Sequence, residues 1–206
     1  MRRSCAVPDL GRTEGGVLVT PAVFLDRDGT LTEEVGYLDR LDRIVFYPWS
    51  IDAVRLLNRA GFKVVIVTNQ SGVARGMFDE RFVEEAHEFI DARVREGDAL
   101  IDRFYYCPHH PDAPIEAYRQ ECECRKPHTG MVQQAQRELH LDLERSFVVG
   151  DRWLDVELAQ AFGGQGVLVR TGYGEAEVAR PKPRVSAALI APELLTAVAW
   201  ILQQGA

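Results

Sequence analysis

Long apolar runs are absent from this 206-residue chain. No stretch approaches the roughly 20 residues that a membrane-spanning helix needs, which excludes an integral helical membrane protein. Positive charge is in short supply. With 24 Lys and Arg against 31 Asp and Glu, the net charge is −7, which argues against a broad surface that tracks nucleic-acid phosphates. An apolar signal region is also missing after Arg2-Arg3, so export is not expected and a cytoplasmic location is. Residues 1–20 carry Gly and polar residues without periodicity; they read as a mobile extension, or as a start placed upstream of the true one. No internal repeat or linker divides residues 21–206. Cysteine is sparse, four in all, yet Cys107, Cys122 and Cys124 lie within eighteen positions while Cys5 sits alone in the tail. Without a signal peptide, such clustering points to metal rather than disulfides.

What the chain does have is material for a sizeable core: 46% hydrophobic and 27% charged residues suit one globular domain. Strand patterns alternate with helical ones. Ala22-Val23-Phe24-Leu25 reads as a buried strand, and Ser50 is placed to cap a helix carrying Ile51, Val54 and Leu57 that Gly61 ends. Residues 63–67 give a second strand, and Phe82, Ala86, Phe89 or Ile90, and Val94 recur at helical spacing over 79–95. A third strand is expected at 101–106, a helix around Met131, Ala135 and Leu139, and a fourth strand at 147–149. Leu154, Leu158 and Ala161 mark a helix closed by Gly163-Gly164, before a fifth strand at 167–169. Residues 171–184 read as a Gly/Pro-rich loop, and Pro192 opens a C-terminal helix. Alternation of this kind with nearly all-apolar strands predicts a Rossmann-like three-layer α/β domain with a mainly parallel sheet.

The chemistry begins where the first strand ends, at Asp26-Arg27-Asp28-Gly29-Thr30. Residues i and i+2 of an extended chain share a side. Asp26 and Asp28 can therefore share a site in which repulsion favours a cation such as Mg²⁺. One can attack while the other handles protons. Taken alone, the string is equally a strand running into a solvated acidic turn. Two further polar motifs follow strand ends: Thr68-Asn69-Gln70-Ser71-Gly72 and Gly150-Asp151. Open α/β sheets bind ligands outside the carboxyl ends of their strands, so the three can meet in one cleft.

These strings resemble the haloacid dehalogenase (HAD) superfamily of phosphotransferases. Asp26 to Thr30 matches its first motif, Thr68 its second, Lys126 its third, and Gly150-Asp151 with Asp155 its fourth. Longer strings, at Gly36-Tyr37, 67–76, 105–111 and 122–128, are most similar to the heptose bisphosphate phosphatases, with histidinol phosphatases nearest to them. The similarity runs from residue 21 to about residue 174. It implies a Mg²⁺-dependent phosphatase acting on a small phosphorylated sugar through an aspartyl-phosphate. Asp26 would be the nucleophile and Asp28 the acid, then the base. Thr68 and Lys126 would hold the phosphoryl oxygens; Asp26, Asp151 and the Asp28 carbonyl would bind Mg²⁺. Substrate contacts would come from Glu34, Val35, Gly36, Tyr37, Asn69, Gln70, Ser71, Arg125 and Arg152, beside Thr68 and Lys126. By itself Lys126 reads as a solvated lysine, and Tyr37 as an exposed aromatic beside a Gly turn. Arg152 stands where close relatives often carry Lys, so a planar fork replaces a point charge.

Cys107-x-His109 is followed after twelve residues by Cys122-x-Cys124. Three thiolates and one imidazole complete a tetrahedral Zn²⁺ set, and a closed set is structural. His110 is the alternative fourth ligand; the family pattern and the symmetry of the two halves favour His109. The reading without metal is a group of buried or oxidisable cysteines. Zinc here would fold a loop with little core and hold Arg125 and Lys126 over the site. The 39 residues between Asp28 and Thr68 already contain a loop, a helix and a strand, which leaves no room for a large cap domain. The site is expected to be open, and the protein to act as a monomer without nucleic acid or membrane partners. Competing readings are a histidinol phosphatase, a nucleic-acid 3′-phosphatase, and a zinc-stabilised binding module without catalysis.

Overall fold

The structure, a computed structural model, describes residues 11–14 and 17–204. Its strands are β1 (Arg12–Glu14), β2 (Val17–Leu25), β3 (Lys63–Asn69), β4 (Arg103–Cys107), β5 (Leu141–Gly150), β6 (Gln165–Val169) and β7 (Leu189–Ala191). Its helices are α1 (Ser50–Arg59), α2 (Ser71–Ala74), α3 (Glu80–Glu96), α4 (Gly130–Leu139), α5 (Trp153–Phe162), α6 (Gly174–Val178) and α7 (Leu194–Gln204).

Period-two alternation along β2 decides the layering. Val23 and Leu25 pack with Ala53, Val54 and Leu57 of α1, Ile90 and Val94 of α3, and Leu194, Val198 and Ile201 of α7. Ala22 and Phe24 point the other way, into Met131, Val132 and Ala135 of α4 and Leu158 and Ala159 of α5. Phe24 is fully buried and meets Phe162 edge-on, ring centroids 5.8 Å apart; burial of such a side chain contributes roughly 1.5–3 kcal/mol. The result is the expected three-layer α/β domain. Six strands run parallel in the order β4-β3-β2-β5-β6-β7, and β1 pairs antiparallel with β2. Among the described residues no helix is long and apolar enough to cross a membrane.

Several local expectations are corrected. Ser50 does not cap its own helix; it is the first residue of α1, and its hydroxyl donates to the Leu31 carbonyl at 2.6 Å. β5 begins at Leu141 rather than near Phe147, because Ser146 accepts the Ala22 N–H at 2.9 Å and carries the pairing across a polar interruption. The loop expected over 171–184 contains α6, and the three-residue edge strand β7 adds a sixth parallel partner. β2 starts at Val17, inside the segment read as an extension, and Thr20 already pairs with Leu141. Residues 1–10 lie outside the described residues. Gly61 and Gly163 end their helices as expected, both with positive φ.

Candidate active site

In the sheet β2 lies between β3 and β5, so the chain leaves β2 at Asp26 with Thr68 on one side and Gly150-Asp151 on the other. The Asp26 N–H donates to Val149 of β5 at 2.9 Å, which pins the turn to its neighbour. A cleft of about 250 Å³ opens over these strand ends. It is lined by Asp26, Asp28, Glu34, Gly36, Tyr37, Thr68, Asn69, Gln70, Ser71, Arg125, Lys126, Asp151 and Arg152. Val35 is the exception among the expected contacts. It does not line the cleft; its carbonyl accepts from Arg43 at 2.8 Å, which ties down the loop instead.

Lys126 is buried at the floor, its Nζ 2.6 Å from Asp155 Oδ1 and 2.9 Å from Asp26 Oδ1. Burial works against its charge, but the carboxylates of Asp155 and Asp26 outweigh burial and raise its pKa. The Asn69 side chain grips its backbone twice, accepting the Lys126 N–H at 3.0 Å and donating to the Lys126 carbonyl at 3.2 Å. Carboxylate oxygens of Asp26, Asp151 and Asp155 all lie within 4.8 Å of one another. At an effective dielectric of about 20, two such charges repel by roughly 3 kcal/mol. Burial, followed by the charges of Asp26 and Asp155, pushes Asp151 up to about 8. Burial likewise pushes Asp155 up to about 6, against the opposing charge of Lys126.

Asp151 Oδ2 accepts the Tyr173 N–H at 2.7 Å, whereas Oδ1 is buried with no hydrogen-bond partner among the described residues. Leaving a buried acceptor unsatisfied costs about 1–3 kcal/mol. Backbone crowds this carboxylate closely: a Cβ on Gly29 (φ +81°) or Gly172 (φ +55°) would fall 2.1 Å from Asp151 Oδ2. Only glycine fits at those two positions. Asp28 has a separate setting. Its carboxylate accepts from the buried Arg27 guanidinium at 2.9–3.2 Å and from Gln70 Nε2 at 3.0 Å; the same Gln70 nitrogen lies 2.8 Å from Thr68 Oγ1. At the rim, Glu34 accepts the Gly36 N–H at 2.5 Å. Burial first, then the charges of Asp28 and Asp26, push Glu34 up to about 7.

The four cysteine-cluster residues also converge. Cys107 Sγ is 3.5 Å from Cys122 Sγ and 3.2 Å from Cys124 Sγ, and His109 Nδ1 is 3.4 Å from Cys124 Sγ. Four donors at these separations can surround one ion at the bond lengths zinc adopts with sulfur and nitrogen. His110 is occupied elsewhere, with Nε2 3.3 Å from Arg75 and Nδ1 accepting the Asp112 N–H at 3.1 Å. Burial and the neighbouring thiols hold Cys107 and Cys124 above the usual thiol range, a cost that a bound dication reverses. Asn69 of β3 pairs with Cys107 of β4, so the sheet sets this cluster beside the cleft. Arg125, directly after Cys124, donates to the His109 carbonyl at 3.0 Å.

The HAD-hydrolase-like family model matches residues 123–197, and the polynucleotide kinase 3 phosphatase model matches residues 23–154. A D-glycero-beta-D-manno-heptose-1,7-bisphosphate 7-phosphatase of Escherichia coli (strain K12) is 44% identical over 183 residues, 88% of each chain. Its namesake in Salmonella typhi is 48% identical over 153 residues, 74% of this chain and 81% of that one. Among solved structures, the D,D-heptose 1,7-bisphosphate phosphatase of B. bronchiseptica, complexed with magnesium and phosphate, has a TM-score of 0.79 at 30% identity. That match covers 90% of this chain and 99% of the other. The chain belongs to the HAD-like phosphatases.

As a HAD-like phosphatase it is a phosphoric monoester hydrolase. Its cleft also suits the divalent cation such an enzyme employs. With all three carboxylates ionised, the cluster would fall two charges short of neutrality around its one ammonium, and the unpartnered Asp151 oxygen is a ready ligand. Two residues of this HAD-like phosphatase make cleft contacts that local sequence pattern does not signal. Asp155 lies in the fourth motif, but its pairing with Lys126 spans 29 positions and leaves no local trace. Tyr173 falls in the loop expected over 171–184; its one local signal is the Gly172-x-Gly174 pattern just beyond a strand end.

Proposed function

We propose that this chain is a Mg²⁺-dependent phosphatase that removes the 7-phosphate of D-glycero-β-D-manno-heptose 1,7-bisphosphate. The observation that carries the reading is the 44% identity with enzymes of that name over 88% of both chains. The assembled cleft supports it. Asp26 attacks phosphorus, forming an Oδ–P bond as the bond to O7 breaks, and the resulting aspartyl-phosphate is hydrolysed in a second displacement. Asp28 delivers the proton to O7 and then takes one from the attacking water. The Thr68 hydroxyl and the Lys126 ammonium steady the phosphoryl oxygens, and Asp155 keeps that ammonium aimed. Asp26, Asp151 and the Asp28 carbonyl would hold Mg²⁺, which when bound would supply positive charge against the phosphoryl group. Arg125 offers a bidentate partner to the second phosphate. The enzyme works as a cytoplasmic monomer.

The deciding assay compares kcat/KM for both heptose 1,7-bisphosphate anomers, histidinol phosphate and a 3′-phosphorylated oligonucleotide. The β anomer should be preferred, and Arg125→Ala should hurt it far more than a heptose monophosphate. A preference for histidinol phosphate would overturn the assignment. The oligonucleotide is the second reading, favoured by the family match over residues 23–154 and set back by the net charge of −7.

Zinc in this reading is structural, bound by Cys107, His109, Cys122 and Cys124. The purified protein should carry about one zinc per chain, while turnover still depends on added Mg²⁺. Cys122→Ser should lose the metal and lower Tm together, because binding energy at such a loop is folding energy. Full stability and activity in a zinc-free preparation would show the cluster to be dispensable.

A further inference from the structure

Val23 and Leu25 of β2 face the apolar layer of α1, α3 and α7, and Arg27 is the next residue at that spacing. It is 1% exposed, and arginine is almost never fully buried unless paired. Its pairing is one-sided. Nε lies 3.1 Å from Asp28 Oδ1 and 3.2 Å from Oδ2, and Nη2 lies 2.9 Å from Oδ2. Nη1 has no partner among the described residues, so every bond this guanidinium makes there goes to the adjacent carboxylate. His87, which feels the same charge, adds none of its own: burial first, then Arg27, pushes it down to about 3. Replacing a buried ion pair by apolar residues is often neutral or stabilising, so packing does not account for an arginine here.

The two Asp28 oxygens are not equivalent. Oδ2 accepts from Arg27 Nη2 and from Gln70 Nε2 at 3.0 Å, which occupies both of its lone-pair positions, whereas Oδ1 has only a share of Arg27 Nε. The Asp28 side chain is 19% exposed and lines the cleft. Arg27 does not line it and stands behind Asp28, out of reach of a substrate.

We propose that Arg27 is a positioning residue for proton transfer: it locks the Asp28 carboxylate so that Oδ1 alone carries the mobile proton, and its fixed guanidinium meets the negative charge left when that proton departs. The inference rests on the acid and base role given to Asp28 above and deepens it.

In the first displacement the Asp26 Oδ–P bond forms, the P–O7 bond breaks, and the proton passes from Asp28 Oδ1 to O7, leaving Asp28 an anion. In the second, a water oxygen attacks phosphorus, the Asp26 Oδ–P bond breaks, and Oδ1 takes a proton from that water. A guanidinium in place before the reaction stabilises the anion without reorganising. Its two-pronged hold also resists rotation of the carboxylate, which would exchange the free oxygen for the occupied one. Lysine would supply the charge without the fork.

The test uses the full-length, zinc-loaded protein at saturating Mg²⁺. Arg27→Met, Arg27→Lys, Asp28→Asn and the Arg27→Met/Asp28→Asn double variant are assayed on the heptose 1,7-bisphosphate and on an aryl phosphate, with thermal melting alongside. Arg27→Met should lower kcat on the sugar substrate by about 10–100-fold, the scale of a misplaced catalytic group, with KM nearly unchanged. Its loss on the aryl phosphate should be at least about fivefold smaller, because that leaving group needs little proton. Arg27→Lys should recover part of the loss. The double variant should be within about threefold of Asp28→Asn, since Arg27 acts through Asp28; it also keeps the test open if Arg27→Met alone folds poorly. Equal losses of Arg27→Met on both substrates, or a further large loss in the double variant, would overturn the proposal and make Arg27 a support for the fold. Asp28→Asn is the control for the reading beneath it. An equal penalty there would sink the acid role itself, whereas the expected contrast in Asp28→Asn without one in Arg27→Met would sink the proposal alone.

Discussion

Asp26→Asn should leave a folded, zinc-loaded protein without measurable turnover, a loss on the order of 10⁴-fold or more, as for other displaced nucleophiles. The amide oxygen of Asn can still accept the Arg27 N–H and the Lys126 ammonium, which Asp26 Oδ1 now receives at 2.8 and 2.9 Å. Local geometry is therefore kept. The attacking carboxylate is gone, and with it one of three crowded negative charges. Tm should accordingly stay level or rise, since relief of repulsion among Asp26, Asp151 and Asp155 favours the folded state. Phosphate release followed beside thermal melting and zinc content checks both halves. Substantial turnover by the well-folded variant would remove Asp26 as the nucleophile.

Asp28→Asn should cost roughly 10²–10⁴-fold on the sugar substrate, the usual share of proton transfer. The Asn carbonyl can go on accepting from Gln70 and Arg27, whose bonds orient this side chain. The backbone carbonyl is untouched. What disappears is a group able to protonate O7. An aryl phosphate, whose leaving oxygen departs as a stable anion, needs that proton far less, so its loss should be smaller by at least about tenfold. An equal penalty on both substrates would mean that Asp28 acts through position or charge rather than as an acid.

Sequence made the reacting centre legible because its groups sit in short strings at strand ends. Asp26, Asp28, Thr68 and Asp151 all lie within three positions of an apolar run, and a parallel sheet gathers such positions onto one rim. The cysteine cluster was equally plain, as spacing alone carries it. Contacts made across long separations were not. Asp155 reaching Lys126, Asn69 bracketing the Lys126 backbone and Arg152 lying on Tyr173 depend on which loops adjoin in space. Short elements escaped for another reason. β7 has three residues and α6 five, fewer than one period of pattern needs to stand out. Ser50 misled because a helix-opening serine usually bonds its own turn, whereas here a carbonyl nineteen residues away takes the hydroxyl. Val35 sits in a loop whose neighbours Glu34, Gly36 and Tyr37 line the cleft, but its carbonyl is taken by Arg43.

The double grip of Asn69 on the Lys126 main chain has a consequence for how this cleft can diversify. An amide side chain accepting one N–H and donating to one carbonyl imitates a rung of a β-ladder, and β3 thereby extends its pairing to a segment that is not a strand. The segment between Cys107 and Cys122 consequently shares the placing of the lysine with β3. Its own ends are closed by the Cys and His donors, and its interior by bonds such as His110 N–H to the Tyr118 carbonyl at 3.1 Å. Insertions, deletions and new side chains there can reshape what enters the cleft while the Lys126 ammonium stays in register. Novelty in substrate range is thus cheapest in the stretch 111–120, where descendants of this gene can experiment without touching the reaction.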